Sequence, residues 1–97
     1  MGYTFEESLQ KQLQKDPAFR KEWEESAPER EIRHEIARGR ARKCLTQKEL
    51  SKLTKINQSN LSRIESGEVS PSIKTLKKIA NAMGMQVQIK FVPLKEQ

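Results

Sequence analysis

Residues 46–67, TQKELSKLTKINQSNLSRIESG, constrain this chain more than any other stretch: two helix start signals and a stop signal leave no room for a long loop. Thr46 and Glu49 form a Thr-x-x-Glu capping box, in which the hydroxyl takes an amide proton three residues on and the carboxylate reaches back to the Thr46 amide. Leu45 and Leu50 flank that cap at the spacing of a hydrophobic staple. Asn57 then caps a second helix, with Ile56 and Leu61 as its staple, and Gly67 offers the left-handed position that ends it. Only Lys55 and Ile56 separate the first helix from the second cap. The spacing therefore predicts two short helices joined by a tight turn.

What such a pair can do depends on the side chains its second helix leaves outside. Leu61 and Ile64 lie three apart and must face a core, which places Gln58, Ser59, Ser62 and Arg63 on the outer side toward the helix N-terminus. Amides pair bidentately with adenine and Arg with guanine. In a helix-turn-helix, the first residues of the second helix enter the major groove. These four are the candidates for base contacts. Thr46, Gln47 and Lys48 begin the first helix, where unpaired amides and the helix dipole suit a phosphate oxygen; Asn57 and Asn60 join them at the start of the second. A polar face is also what any solvated helix presents, so the assignment needs further support.

Charge supplies part of it. Residues 1–37 hold six Lys and Arg against nine Asp and Glu, a balance of −3, and residues 38–97 hold thirteen against four, a balance of +9; together these make the net +6. A basic segment attracts phosphate through counterion release. Flanking helices supply the rest. Residues 29–43 present Ile32, Ile36, Ala37 and Ala41 on one stripe, and after Pro71 and Ser72 the residues Ile73, Leu76, Ile79, Ala80 and Met83 follow the 3.6 period until Gly84. Four apolar stripes can enclose one core. A domain of about sixty residues is near the lower limit for independent folding, so support from dimerisation is expected.

The words LTQKEL, NQSNLSRIESG and PSIKTLKKIANAMG make the segment from Glu31 to Gly84 resemble an XRE-family, lambda-repressor-like helix-turn-helix domain. The resemblance implies DNA contacts from Gln47, Gln58 and Ser59. It also implies a structural ion pair between Arg40 of the helix before the motif and Glu65 near the end of the second motif helix. One departure is Cys44, where that family often has Gly just after its first helix, which bears on the local turn.

Ahead of this domain lies an arm of different character. Thr4 with Glu7 makes another capping box, Phe5, Leu9 and Leu13 recur every four residues, and Asp16-Pro17 restarts a helix carrying Phe19 and Trp23. Tyr3, Phe5, Phe19 and Trp23 all lie here, whereas residues 31–84 contain no aromatic. Two readings stay open: the arm folds back as extra core, or it offers Phe5, Leu9, Leu13, Phe19 and Trp23, flanked by Glu6, Glu7, Glu22, Glu24 and Glu25, to a basic protein partner. An arm of the form FEESLQKQLQKDPAFRKEWE directly before an XRE domain is similar to HigA-type antitoxins. That resemblance implies a HigB/RelE-like mRNA-cleaving toxin as partner and repression of the shared operon. The alternative is a free-standing XRE repressor.

After Gly84 the period becomes two, with Met85, Val87, Ile89 and Phe91 on one side, and the pattern predicts a single β-strand ended by Pro93. It could pair through Val87, Ile89 and Phe91 across the twofold of a homodimer, add to a toxin sheet, or pack on its own bundle. A dimer would set two recognition helices about 34 Å apart on a palindromic operator. The expected architecture is all-α: an arm (1–28), a helix-turn-helix bundle (29–84), and a strand and tail (85–97).

Catalysis has little to stand on. His34 is the sole histidine and has no nucleophile or metal-ligand spacing beside it; the glycines are scattered, so no phosphate loop exists. The single cysteine, Cys44, excludes an internal disulfide and is expected to be partly buried. No metal, cofactor or enzymatic activity is expected. With no apolar run near the roughly 18 residues a membrane span needs and no secretory leader, the expectation is a soluble, cytoplasmic protein.

Overall fold

The computed structural model describes residues 4–94. Six helices follow one another: α1 (Phe5–Lys15), α2 (Pro17–Glu25), α3 (Ala27–Lys43), α4 (Gln47–Thr54), α5 (Gln58–Ser66) and α6 (Ile73–Ala82). The chain is all-α. The described residues form two compact units that divide between Ile32 and Arg33, four residues beyond the boundary read from the sequence. Tyr3 and residues 95–97 of the expected tail lie outside the described residues.

The first unit is built from local signals. Thr4 caps α1 by accepting from the Glu7 amide at 3.1 Å. Asp16, in extended conformation, stops α1 and caps α2, its Oδ1 accepting from the Ala18 and Phe19 amides at 3.1 and 3.2 Å, with Pro17 pre-set at the first helical position. Ser26 separates α2 from α3, and its hydroxyl donates to the Trp23 carbonyl. No residue of α1 or α2 is buried.

The second unit has a real core: Ile36, Leu50, Leu61, Ile64, Ile79 and Met83. Removing one such side chain from water is worth about 1.5 to 3 kcal/mol. Of the two staples, Leu50 and Leu61 are buried and Leu45 and Ile56 half-buried, and α4 packs on α5 and on α6. The inward face of α3 is turned relative to the expected stripe. Ile36 and Gly39 are buried, while Ala37 and Ala41 are exposed. The cause is Met83: a Cβ at Gly39 would lie 2.5 Å from its sulfur, so the bare glycine backbone lets α6 come close to α3 there. On α6, Ile73 is 56% exposed, because it sits at the helix start, beyond the reach of the core.

Two further expectations are corrected. Residues 85–94 form no strand. A strand is defined by a hydrogen-bonded partner, which the described residues do not supply; alternation persists only as half-buried Met85 and Val87 against exposed Gln86 and Gln88. Beyond them Ile89 and Phe91 are exposed, so neither packs on the bundle. Cys44 is exposed, and its backbone is left-handed at φ +53°, the position where the XRE resemblance led one to expect glycine. The turn keeps its usual geometry and the cysteine takes on the strain.

Candidate nucleic-acid interface

The two motif helices are fixed by side chains at each end. The Thr46–Glu49 box is complete, with the Glu49 amide donating to the Thr46 hydroxyl at 3.0 Å and the Thr46 amide donating to the Glu49 carboxylate at 2.9 Å. That backbone donation, followed by a hydrogen bond with the Thr46 side chain, holds the Glu49 carboxyl below the usual range, and Lys52 adds the smallest pull in the same direction. Lys55 ends α4 in the left-handed region at φ +62°. Ser51 donates to the Ile56 carbonyl, and the Thr54 hydroxyl donates to the Leu50 carbonyl at 2.8 Å while accepting from the Ile56 amide at 3.3 Å. Thr54 is buried, and these bonds satisfy it while pinning the turn.

α5 starts at Asn57, whose side-chain oxygen accepts from the Asn60 amide at 2.7 Å, and ends at Gly67 with φ +85°. Leu61 and Ile64 anchor it in the core. As a consequence Gln58, Ser59, Asn60, Ser62 and Arg63 are all exposed, and the expected reading face is not covered by the unit's own residues.

The phosphate candidates divide. Thr46 serves its own helix, because its hydroxyl and amide are both engaged with Glu49. Gln47 and Lys48 supply the first two amides of α4, N–H groups that a helix leaves without a partner of its own, Lys48 being exposed and Gln47 half-buried. At α5, Asn57 is engaged as a cap and the Asn60 amide is taken by it, which leaves the Asn57 side-chain NH2 and the Asn60 side chain for a ligand.

Behind α5, Arg40 donates through Nε at 3.2 Å and Nη2 at 2.8 Å to one oxygen of Glu65, and through Nη1 to the Leu45 carbonyl at 3.1 Å. The pair is largely enclosed, with side chains 25% and 13% exposed. It ties α3 to α5. The sequence did not point to Arg33, which donates to the Ser66 carbonyl at 3.3 Å. Nor did it point to Ser51 and Thr54; hydroxyls beside the last turn of a short helix are the signal that marks them.

In the arm, Phe19 and Trp23 stack with ring centroids 6.2 Å apart, and the Arg30 guanidinium lies 3.3 Å over the Trp23 ring while donating to the Ser26 hydroxyl at 2.7 Å. Leu9, Leu13, Phe19 and Trp23 are half-buried, and Phe5 is 80% exposed. Among the described aromatics of the arm, Phe5 is thus the exposed one and Phe19 and Trp23 are half-buried.

Among the described residues no three His, Cys, Asp or Glu side chains gather as a metal site, and no helix is long and apolar enough to cross a membrane.

The family model described as helix-turn-helix, HTH_3, matches residues 36–89, more than half of the chain and all of α4, α5 and α6. The chain belongs to the helix-turn-helix family. No curated protein matches it significantly. Among solved structures, a chain of a toxin–antitoxin module from Streptococcus pneumoniae is similar, at 24% identity and TM-score 0.58, over 97% of each chain. At that identity the likeness is one of fold. For this helix-turn-helix protein it extends through the arm as well as the motif.

Proposed function

We propose that this helix-turn-helix protein is an antitoxin: it reads an operator through α5, represses its own operon, and binds a HigB/RelE-like mRNA-cleaving toxin through its arm. The observation that carries the DNA half is the open polar face of α5, with Gln58, Ser59, Ser62 and Arg63 outside and Leu61 and Ile64 locked inside. Bases are contacted by those four residues, and phosphates by Gln47, Lys48, Asn57 and Asn60, with Thr46 holding the amides of α4 in place. The toxin half is supported by the fold likeness to a chain of a toxin–antitoxin module and by the acidic, apolar-striped arm. Phe5, Leu9 and Leu13 are its contact stripe, with Phe19 and Trp23 shaping the arm behind them.

We place a homodimer on Val87, Ile89 and Phe91. Ile89 and Phe91 are exposed on a non-helical segment that has no ladder partner among the described residues, so pairing of two copies would cover the side chains and satisfy the backbone. The reading assigns no catalytic residue and no cofactor, and sets the protein in the cytoplasm.

One observation favours the rival, a free-standing repressor: the largest aromatic of the arm is already stacked against Phe19 and Arg30. Co-expression decides between them. The chain and the reading frame beside its own gene are produced together, and growth is scored with and without the chain. Rescue of growth and co-purification support the antitoxin; a gel shift on the DNA upstream of the chain's own gene, with no rescue and no complex, leaves the repressor.

A further inference from the structure

We infer that Arg33 is a positioning residue that sets how the recognition helix sits, an inference that rests on the reading of α5 as the DNA-contacting helix. Two arginines of α3, two turns apart on one face, meet the last turn of α5. Arg40 holds the side chain of Glu65. Arg33 holds what comes next, donating through Nη1 to the Ser66 carbonyl, one of the carbonyls that a helix leaves unpaired at its C-terminus.

Gly67 shows how closely Arg33 is seated. A Cβ built there would lie 2.8 Å from Nη1, 3.0 Å from Cζ and 3.1 Å from Cδ of Arg33, so the guanidinium occupies the space a side chain would take. Gly67 is glycine for two independent reasons: its φ of +85° and the arginine lying against it. A cation at this end also meets the negative pole of the α5 dipole. Arg33 Nε is buried without a hydrogen-bond partner, as is Glu65 Oε2. The planar group is therefore held by its fit against Gly67 and one carbonyl, not by a saturated set of bonds.

The geometry has a consequence for recognition. The proposed base contacts run from Gln58 in the first turn of α5 to Arg63 in its last, and the helix is a rigid lever only 9 residues long. Capping by Asn57 fixes one end and the two-arginine clamp fixes the other. Loosening the far end lets the reading end tilt, which spoils bidentate alignment at bases and leaves flexible phosphate contacts intact.

The test uses the full chain and two duplexes: one selected by the wild-type protein from a randomised pool, and a scrambled duplex of the same length. Affinity is measured for wild type, Arg33→Ala and Arg33→Lys across a salt series. For Arg33→Ala the expected result is a loss of about tenfold on the selected duplex, with affinity for the scrambled duplex and the salt slope unchanged. Arg33→Lys keeps the charge and loses the planar fork, and is expected to show the same selective loss if Arg33→Ala proves too unstable to measure. Equal loss on both duplexes with a shallower slope would make Arg33 a phosphate contact and overturn the inference. So would wild-type affinity for the selected duplex in variants that merely melt earlier. A wild-type protein that selects no sequence would overturn the DNA reading itself, a failure visible before any variant is made.

Discussion

The arm and the helix-turn-helix unit are written in the same local grammar and differ in what that grammar is attached to. α1 and α4 both begin at a threonine cap, with a glutamate three residues on, and both carry an apolar stripe. In α4 the stripe delivers Leu50 to a closed core, whereas α1 buries nothing. Capping and periodicity therefore specify that a helix forms, and only long-range packing specifies how firmly it is held. One unit is stabilised by its own interior, and the other presents its apolar side to whatever meets it.

The largest test of that contrast is a pair of truncations. Leu61→Ala removes a fully enclosed side chain and should destabilise the second unit by about 3 to 5 kcal/mol in chemical denaturation, much of what a domain of this size has. Leu13→Ala, at a half-buried site of the arm, should cost no more than about 1 kcal/mol in the same experiment. Equal costs would mean that the arm shares the core, and the division into two units would fail as an energetic statement.

Next in size is the division of labour on the DNA face. Arg63→Ala should cost about 1 to 3 kcal/mol on a preferred duplex and relax sequence preference, while Lys48→Ala should weaken all duplexes alike and flatten the salt slope by about one unit. Identical behaviour of the two variants would remove the distinction between base and phosphate contacts drawn here.

Trp23→Ala comes third and reaches across the comparison. It should leave operator affinity within about 0.5 kcal/mol, because α5 and the arm belong to different units. If the arm binds a toxin as proposed, that binding should weaken by about 1 kcal/mol, less than for a fully exposed aromatic anchor, since one face of Trp23 already carries Arg30. A loss of DNA binding with toxin binding unchanged would exchange the roles of the two regions.

What the sequence disclosed follows the same line between local and distant. Every cap that starts a helix at Thr4, Asp16, Thr46, Asn57 and Ser72 was legible, as was the end at Gly67, because these signals act over three or four residues. So was the polar face of α5, which follows from where Leu61 and Ile64 must point. The Arg40–Glu65 contact came from family resemblance, since nothing local links residues 25 positions apart. Arg33 was invisible for that reason, its partner being 33 residues away. Ala37 and Ala41 misled because alanine has too little surface to set which way a helix faces, and Gly39, with no side chain at all, decided it by admitting Met83. The tail misled because alternation says which side chains share a face and is silent on whether another strand is present.

The smallest expected effect isolates the cap itself. Glu49 has a lower pKa in the folded chain than in the unfolded one, chiefly because the Thr46 amide donates to its carboxylate. Its contribution to stability is therefore complete above the ordinary glutamate pKa of about 4.3 and is lost as the pH falls through the lowered value. Glu49→Gln removes the charge at every pH. The melting temperature of the wild-type chain should exceed that of Glu49→Gln by a constant margin from neutrality down to a pH of about 5, and the margin should close below that. Because α4 is tied to the core through Leu50, the change belongs to the cooperative transition of the second unit, and helix signals from α1 should not follow it. A margin that stays flat into strong acid would show that the box acts through shape alone. A margin that appears equally in α1 would show that the two units do not melt separately.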